Sequence, residues 1–343
     1  MGAEKGPGPD PKDLIWLMPA EGDDRLKVVP GPVLKTSPSV LGKGRFCFAV
    51  AAGRVAIYQN YFSQEGVRLV LARVLTIAGS DSGGGAGIQA DLKTFSAFGV
   101  YGMTVITALT AQNTLGVQKV QVVEAEMVGA QIDAVVEDIG VDAAKTGMLA
   151  NAEIIELVAD KIAEHRLERL VVDPVMVAKG GHPLLEKDAI SVMRRKLLPQ
   201  TLVLTPNLPE AEVLVGKRLE TEDEVMEAAR VLADMGPRVV VIKGGHFRHE
   251  AAAVDLVYLD GSLRKLTAPR YKTRNTHGTG CTFSAAVAAE LGKGSDVETA
   301  LGLAKAFITR AISEALDLGS GYGPTNHMVG TEDLKPNVYW EEV

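Results

Sequence analysis

The sequence is poor in cysteine, with only Cys47 and Cys281 among 343 residues. The two lie far apart, and neither belongs to a CxxC pair or stands near paired histidines, so a disulfide framework and a structural zinc site are excluded. The six histidines also lack paired metal-ligand spacing. We therefore expect a cytoplasmic protein in a reducing compartment.

Basic charge and long apolar runs are scarce as well. Lys and Arg number 36 against 43 Asp and Glu, and aromatic residues make up 5% of the chain. No basic run interleaved with aromatics is present, which argues against nucleic acid as a partner. No apolar run approaches the ~20 residues that span a bilayer. The apolar stretch 46–52 is too short and too far from the N-terminus for a signal peptide. We expect no nucleic acid and no membrane as partner.

The chain does contain a regular alternation from Arg73 onward, in which short β-branched apolar runs alternate with amphipathic helical stretches. This order predicts an α/β fold with a mostly parallel sheet covered on both faces. The predicted strands are 74–78, 103–109, 143–147, 170–173, 202–205 and 239–243. The predicted helices are 87–98, 124–139, 152–165, 222–235, 282–291 and 297–316. Residues 253–268 predict a hairpin at the edge of the sheet, turning at Asp260-Gly261.

Residues 1–72 differ from the rest, because they begin with a Gly/Pro-rich stretch and show no sustained period. Their acidic residues argue against a transit peptide. We predict an N-terminal extension at 1–72 that is poorly ordered or not native, one α/β domain at 73–325, and a C-terminal tail at 326–343.

The first motif, GSDSGGGAGIQADLKT at 79–94, connects a predicted strand to a predicted helix. Four glycines in five residues allow a sharp turn and close approach to a ligand. A glycine-rich turn without a ligand is the alternative. Gly85-x-Gly87-x-x-Ala90 loosely fits a dinucleotide fingerprint, but residues 103–112 lack the acidic residue that a Rossmann site requires, which disfavours a dehydrogenase. No GxxxxGK[ST] motif is present.

The second motif, KTRNTHGTGCTFSAAVAAEL at 272–291, opens a helix with Gly278-Thr279-Gly280-Cys281. Consecutive amides at a helix N-terminus form an anion site, which suits a phosphoryl group in transfer. A glycine-capped buried helix is the alternative.

Polar residues follow three further predicted strands, namely Asp173, Asn207 with Glu210, and Lys243. Ligands of open α/β sheets lie beyond the carboxyl ends of strands, so these side chains are predicted to share one crevice. The carboxylates could hold Mg²⁺ and Lys243 could reach ATP phosphates. The alternatives are a turn cap for Asp173, a helix start for Glu210 and a solvated charge for Lys243.

Seven motifs occur in a distinctive order between Arg73 and the segment 321–324. They are AGSDSGGGAGIQADLKTF, ITALTAQNT, KTGML, DPVM, TPNLPEA, KGGH and NTHGTGCT. Together they resemble the hydroxymethylpyrimidine/phosphomethylpyrimidine kinases of thiamine biosynthesis, in the ribokinase-like superfamily. The resemblance implies a three-layer α/β/α domain. It also implies transfer of phosphate from Mg-ATP to 4-amino-5-hydroxymethyl-2-methylpyrimidine and then to its monophosphate.

The resemblance also assigns roles to residues. Asp91 and Gln112 would bind the aminopyrimidine, whose pocket Gly85, Ala86, Met148 and Val175 would line. ATP would contact Asn207, Glu210, Lys243, Gly278 and Gly280, and Mg²⁺ would contact Asp173 and Glu210. The transfer itself would use Lys243, Gly278, Thr279, Gly280 and Cys281. Each of three residues also has an explanation that needs no ligand. Gln112 would be a strand-end amide with its hydrogen bonds made within the protein, Asp91 a charge on a helix surface, and Met148 a core residue. The family is commonly dimeric, so a homodimer is expected.

Cys281 stands where sugar kinases of this superfamily generally have an aspartate base. Because a helix N-terminus can lower a thiol pKa, a thiolate is expected to serve as base in the first transfer. The second acceptor, a phosphate monoester, is already ionised and needs no base, so Cys281 could also merely pack. Two other functions stay open: a pyridoxine or pyridoxal kinase of the same superfamily, and a pyrimidine-binding sensor without catalysis.

Overall fold

The computed structural model describes residues 71–176, 188–244, 252–334 and 339–343, together with six short strands between residues 15 and 67. The chain divides into two compact units, Met1–Val70 and Leu71–Val343. In the first unit, four strands form an antiparallel sheet in the order β2-β1-β3-β4, and two more form a separate ribbon. These strands are Ile15–Pro19 (β1), Leu26–Pro30 (β2), Cys47–Ala51 (β3), Arg54–Tyr58 (β4), Phe62–Ser63 (β5) and Gly66–Val67 (β6). The division at residue 72 and the character of the N-terminal extension stay predictions.

The second unit is built on a ten-stranded sheet in the order β16-β15-β14-β13-β12-β11-β10-β7-β8-β9. Its strands are Arg73–Asp81 (β7), Tyr101–Asn113 (β8), Gly116–Val122 (β9), Ala143–Thr146 (β10), Leu170–Val172 (β11), Val203–Leu204 (β12), Val239–Ile242 (β13), Ala252–Leu259 (β14), Ser262–Pro269 (β15) and Tyr339–Glu342 (β16). Six neighbouring strands at the centre of the sheet are parallel, in the order β13-β12-β11-β10-β7-β8. β9 lies outside β8 and pairs with it antiparallel. The chain leaves β7 on one side to form β8 and returns on the other side to form β10. Strand order therefore reverses between β7 and β10, and such a switch point opens a crevice for a ligand.

Helices cover both faces of this sheet. They are Gly87–Ala97 (α1), Ala125–Asp138 (α2), Ala152–Glu164 (α3), Ala189–Val192 (α4), Leu208–Val215 (α5), Glu222–Asp234 (α6), Thr279–Lys293 (α7) and Val297–Ser313 (α8). Neighbouring residues of β7 enter opposite cores: Leu75 packs in the one that contains α2, α3 and α6, and Val74 in the one that contains α1, α7 and α8. Both faces of the parallel strands are thus apolar, as expected for a sheet buried on two sides. The predicted three-layer α/β/α architecture is confirmed.

All six predicted strands and all six predicted helices are present, with ends shifted by a few residues. The predicted hairpin forms β14 and β15, but its placement at the sheet edge was wrong. β16, from the segment expected to be a tail, pairs antiparallel with β15 and lies outside it. β9, α4 and α5 were not predicted from the sequence. No helix in the described part of the chain is both long enough and apolar enough to cross a membrane.

Candidate active site

A cavity of about 800 Å³ lies at the carboxyl ends of the parallel strands, around the switch point between β7 and β10. It collects residues from loops that are distant in sequence, because parallel strands bring their ends to one edge. Twelve of the predicted site residues line it: Ala86, Gln112, Met148, Asp173, Val175, Asn207, Glu210, Lys243, Gly278, Thr279, Gly280 and Cys281. Gly245 and His246 of the KGGH motif lie outside the described residues.

The two glycine-rich turns meet at this cavity. Gly278 has a φ of +79°, and a Cβ added there would overlap the carbonyl oxygen of Gly85. The turns are also joined by a hydrogen bond, because His277 Nε2 lies 2.8 Å from Asp81 Oδ2. The same carboxylate accepts hydrogen bonds from the amides of Gly85 at 3.1 Å and Ala86 at 2.9 Å. The first turn is thereby folded against the start of α7.

α7 begins without a side-chain cap. Its N-cap is Gly278, which has no side chain to satisfy the first amides of the helix. Thr279 turns its hydroxyl back to the carbonyl of Thr276, at 2.7 Å, and not toward those amides. The first turn of α7 therefore presents its amides, and the positive end of the helix dipole, to a ligand in the cavity.

Three charged side chains form a cluster beside this helix start. Lys243 Nζ lies 2.8 Å from Asp173 Oδ1, and Asp173 is 2% exposed. Asn207 and Glu210 form a reciprocal capping box at the start of α5, in which Glu210 accepts from the Asn207 amide at 2.8 Å. The alternative given for Glu210, a place at the start of a helix, agrees with this capping box, and the same residue also lines the cavity. One cation and two carboxylates consequently face the region in front of the α7 amides.

Burial, followed by the nearby Asp173 charge, raises the pKa of Glu210 to about 7, while Lys243 acts in the opposite direction. The folded protein therefore holds a proton that the unfolded chain releases above its ordinary pKa of 4.5. The titration of Glu210 does not lower the free energy of unfolding below pH 4.5. It lowers the free energy of unfolding as the pH rises from 4.5 to about 7.

We expect Glu210→Gln, which keeps the capping box, to match the parent in unfolding free energy near pH 4.5 and to exceed it by up to about 3 kcal/mol near pH 8. Urea unfolding at the two pH values measures this difference. A difference between the two proteins that does not change with pH would contradict the assigned titration.

Two predicted substrate contacts, Gly85 and Asp91, are not among the described residues that line the cavity, and their contact with a substrate stays a prediction. Gly85 is buried under His277, and Asp91 is fully buried beneath the cavity wall. The two Asp91 oxygens lie 2.8 and 3.0 Å from Lys145 Nζ, and the Thr76 hydroxyl donates to Asp91 at 2.6 Å. The carboxylate is already occupied, so it acts on a ligand only through Lys145, which does line the cavity.

Lys145 and His277 also line the cavity but were not among the residues predicted from the sequence. Lys145 stands in a strand whose other residues are apolar or small, and a charge in such a run indicates a buried pair. That signal was present in the KTGML motif. Although burial acts to lower it, Asp91 and then the charges of Cys281 and Asp173 raise the pKa of Lys145, so the ammonium stays protonated.

The expected lowering of the Cys281 pKa is also not found. Burial raises the pKa of this thiol to about 11, and the Asp91 and Asp173 charges add to the effect. Lys145 and a hydrogen bond from the Gly87 amide act in the opposite direction without overcoming it. Without substrates, Cys281 is therefore a thiol.

Apolar residues of α8, Ile308 and Ile312, also line the cavity. A buried ion pair anchors its floor: Lys305 Nζ lies 2.6 Å from Asp255 Oδ2. Asp255 also accepts a hydrogen bond from the Gly244 amide at 2.9 Å, next to Lys243. The α8 residues of the cavity can pack on a flat apolar ring.

A three-layer α/β/α domain whose cavity contains an uncapped helix start and a Lys-carboxylate cluster defines a small-molecule kinase. The phosphomethylpyrimidine kinase family matches residues 81–326, and a hydroxymethylpyrimidine/phosphomethylpyrimidine kinase of Haemophilus influenzae is 52% identical over 258 residues, covering 74% of this chain and 96% of the relative. The chain belongs to the phosphomethylpyrimidine kinase family.

Solved structures agree in fold. A Bacillus subtilis pyridoxal kinase in complex with ADP is 45% identical, with a TM-score of 0.70, covering 75% of this chain and 98% of that one. A phosphomethylpyrimidine kinase from Clostridium difficile is 42% identical, with a TM-score of 0.62, covering 70% of this chain and 99% of that one.

Proposed function

We propose that the cavity between the two glycine-rich turns carries out both phosphoryl transfers. The chain is a hydroxymethylpyrimidine and phosphomethylpyrimidine kinase of thiamine biosynthesis that uses ATP as the phosphate donor. The observation that carries the proposal is the contact of the first turn with the start of α7, which brings an acceptor pocket to an anion site.

The acceptor pocket consists of the cavity residues nearest the first turn. Gln112 offers an amide donor and acceptor to the aminopyrimidine edge, and Met148 offers a thioether that packs on the ring. Ala86 and Val175 complete the walls. Asp91 contributes indirectly, because it holds Lys145 at the cavity floor.

The donor side consists of the α7 start and the Lys243 cluster. The amides of Gly280 and Cys281 face the γ-phosphoryl group, whose oxygens carry the transition-state charge. Lys243 contacts the phosphates, and the apolar α8 residues near Ile308 receive the adenine ring.

The carboxylates of Asp173 and Glu210 fit a divalent cation. Both are oxygen ligands of the kind that Mg²⁺ prefers, and the charge of Asp173 contributes to the raised pKa of Glu210. A bound Mg²⁺ would relieve that repulsion and neutralise phosphate charge. Within the cluster, Lys243 supplies the cation that Asp173 contacts without metal.

In the first transfer, the hydroxyl oxygen of the substrate attacks the γ-phosphorus, and the bond from phosphorus to the β-phosphate oxygen breaks to release ADP. The hydroxyl proton needs an acceptor, and the Cys281 sulfur accepts it only as a thiolate. Lys145 is the cation that favours this thiolate. In the second transfer the attacking oxygen belongs to an ionised phosphate, so no base is required.

We therefore expect Cys281→Ala to slow phosphorylation of the hydroxymethyl substrate by about 10²-fold and that of the phosphomethyl substrate far less, since general-base catalysis contributes only to the first transfer. Steady-state ADP release with each substrate measures both rates on one preparation, and the second transfer serves as the internal control. Equal losses in the two rates would assign Cys281 a packing role.

Pyridoxal kinase activity is a second candidate, supported by the 45% identity to the Bacillus subtilis pyridoxal kinase. ADP release with hydroxymethylpyrimidine, phosphomethylpyrimidine and pyridoxal tests the assignment. We expect a higher kcat/KM with the pyrimidines. Faster turnover of pyridoxal would reverse the assignment, and ADP release with none of the three would favour a binding protein without catalysis.

A further inference from the structure

We propose that Asp81 and His277 fix the orientation of the Gln112 side-chain amide, and that this orientation selects a 4-aminopyrimidine over rings with the reverse hydrogen-bonding pattern. The inference rests on the proposed role of Gln112 in substrate binding. It starts from one atom, His277 Nε2, which lies 2.8 Å from Asp81 Oδ2 and 3.3 Å from the Gln112 amide.

Asp81 determines which atom carries the proton in this contact. Its carboxylate accepts from the amides of Gly83, Gly85 and Ala86 as well as facing His277. Although burial acts to raise it, the His277 hydrogen bond and charge, followed by the Ala86 and Gly83 amides, hold the pKa of Asp81 below its ordinary value. Asp81 is therefore an acceptor only, and His277 Nε2 must carry a hydrogen that points to it.

A protonated ring nitrogen cannot accept a hydrogen bond from the NH₂ group of Gln112. The structure places the amide nitrogen of Gln112, Nε2, 3.3 Å from His277 Nε2. The hydrogen on the ring nitrogen can be shared only with an amide oxygen, and the oxygen and nitrogen of a side-chain amide are assigned from their hydrogen bonds. We therefore assign the orientation rotated by 180°, in which the amide oxygen faces His277. The histidine thus selects one of the two amide orientations that differ by a 180° rotation.

Thr110 supports the same orientation from the other side of the amide. Its hydroxyl oxygen lies 2.9 Å from the Ser80 carbonyl oxygen and 3.2 Å from the amide atom of Gln112 that the structure places as Oε1. The single hydroxyl hydrogen goes to the shorter contact, the Ser80 carbonyl, and leaves the Thr110 oxygen as an acceptor. The amide atom beside Thr110 is then nitrogen, which donates to it.

This fixed orientation gives the cavity a polarity. The free lone pair of the amide oxygen accepts from an exocyclic amino group, and the free N–H donates to an adjacent ring nitrogen. A 4-aminopyrimidine presents this donor and acceptor pair. The 4-oxo analogue presents a carbonyl acceptor and a ring N–H donor in the reverse order. Its carbonyl would face the amide oxygen of Gln112 and its ring N–H would face the amide N–H, so two acceptors and two donors would oppose each other.

The test is the ratio of kcat/KM for 4-amino-5-hydroxymethyl-2-methylpyrimidine to kcat/KM for its 4-oxo analogue. A ratio measured on one preparation does not depend on the fraction of folded enzyme. We expect the parent ratio to be at least about 10³, because a site built to hydrogen-bond a substrate rejects a mispaired analogue strongly. His277→Leu and Thr110→Val should each lower the ratio at least tenfold, because the amide can then rotate. Thr110→Ser, which keeps the hydroxyl, should retain it.

Each outcome decides a different claim. A parent ratio retained in either His277→Leu or Thr110→Val would overturn the proposed orientation device. If Gln112→Ala lowers the ratio while those two variants keep it, Gln112 still binds the substrate and only the device fails. If Gln112→Ala also keeps the ratio, the proposed role of Gln112 fails together with the device.

Discussion

Gly278→Ala is expected to lower kcat/KM by about 10³-fold with both pyrimidine substrates. Removal of a single preorganised anion-stabilising donor costs about 10²–10³-fold, and displacement of the α7 start would affect several donors at once. The displacement follows from the structure, because the added methyl group would overlap the carbonyl oxygen of Gly85. Measurement of kcat/KM by coupled ADP release gives the result.

Gly294→Ala is the matched control. Gly294 ends the same helix, also in a left-handed conformation, with a φ of +91° against +79° for Gly278. Both alanine variants incur about 1–2 kcal/mol of backbone strain, but a Cβ at position 294 meets nothing within 4 Å. Near-parent activity in Gly294→Ala and loss in Gly278→Ala would assign the effect to the contact between the turns. Equal losses would assign it to strain.

The second large effect is expected from the buried pair beneath the cavity. Lys145 and Asp91 are both 0% exposed, and Lys145→Met would leave the Asp91 carboxylate buried without a cation. Breaking a buried ion pair from one side costs about 3–5 kcal/mol. We expect a fall of that size in the unfolding free energy, measured by urea denaturation.

Two comparison variants locate the cause. Lys196→Met removes an ammonium that pairs with Glu156 and Asp160 on the surface, and no measurable change is expected because exposed pairs contribute little. The double variant Lys145→Met with Asp91→Leu removes both charges, and it should recover much of the loss. A double variant as unstable as the single one would show that packing, and not an unpaired charge, causes the effect.

The fold was predictable from sequence because its parallel strands are apolar on both faces and its helices are amphipathic. β7 illustrates this, since neighbouring residues Val74 and Leu75 enter opposite cores. The position of the hairpin was not predictable, because β16 joins it from about 70 residues farther along the chain. Pairing at such separation leaves no local pattern. α5 was not predicted because Pro209 is its second residue and the helix has only 8 residues.

The site was predictable where residues follow strand ends, as for Asp173, Asn207 and Lys243, because topology places all such ends at one edge. How deeply each side chain is buried was not predictable. Asp91 looks like a surface charge on α1 until Lys145, 54 residues away, is placed against it. The Cys281 pKa likewise depends on charges that only the fold brings near. Mg²⁺, the homodimer and the cytoplasmic location stay predictions.

The most direct test of the account is a crystal structure of the enzyme with ADP, Mg²⁺, aluminium fluoride and hydroxymethylpyrimidine. We predict that fluorine atoms of the aluminium fluoride lie at hydrogen-bond distance, about 2.7–3.2 Å, from the main-chain amides of Gly280 and Cys281 at the start of α7. The pyrimidine ring is predicted to lie against Gln112. An anion bound away from the α7 start, with the pyrimidine outside the pocket beside the first turn, would contradict the account.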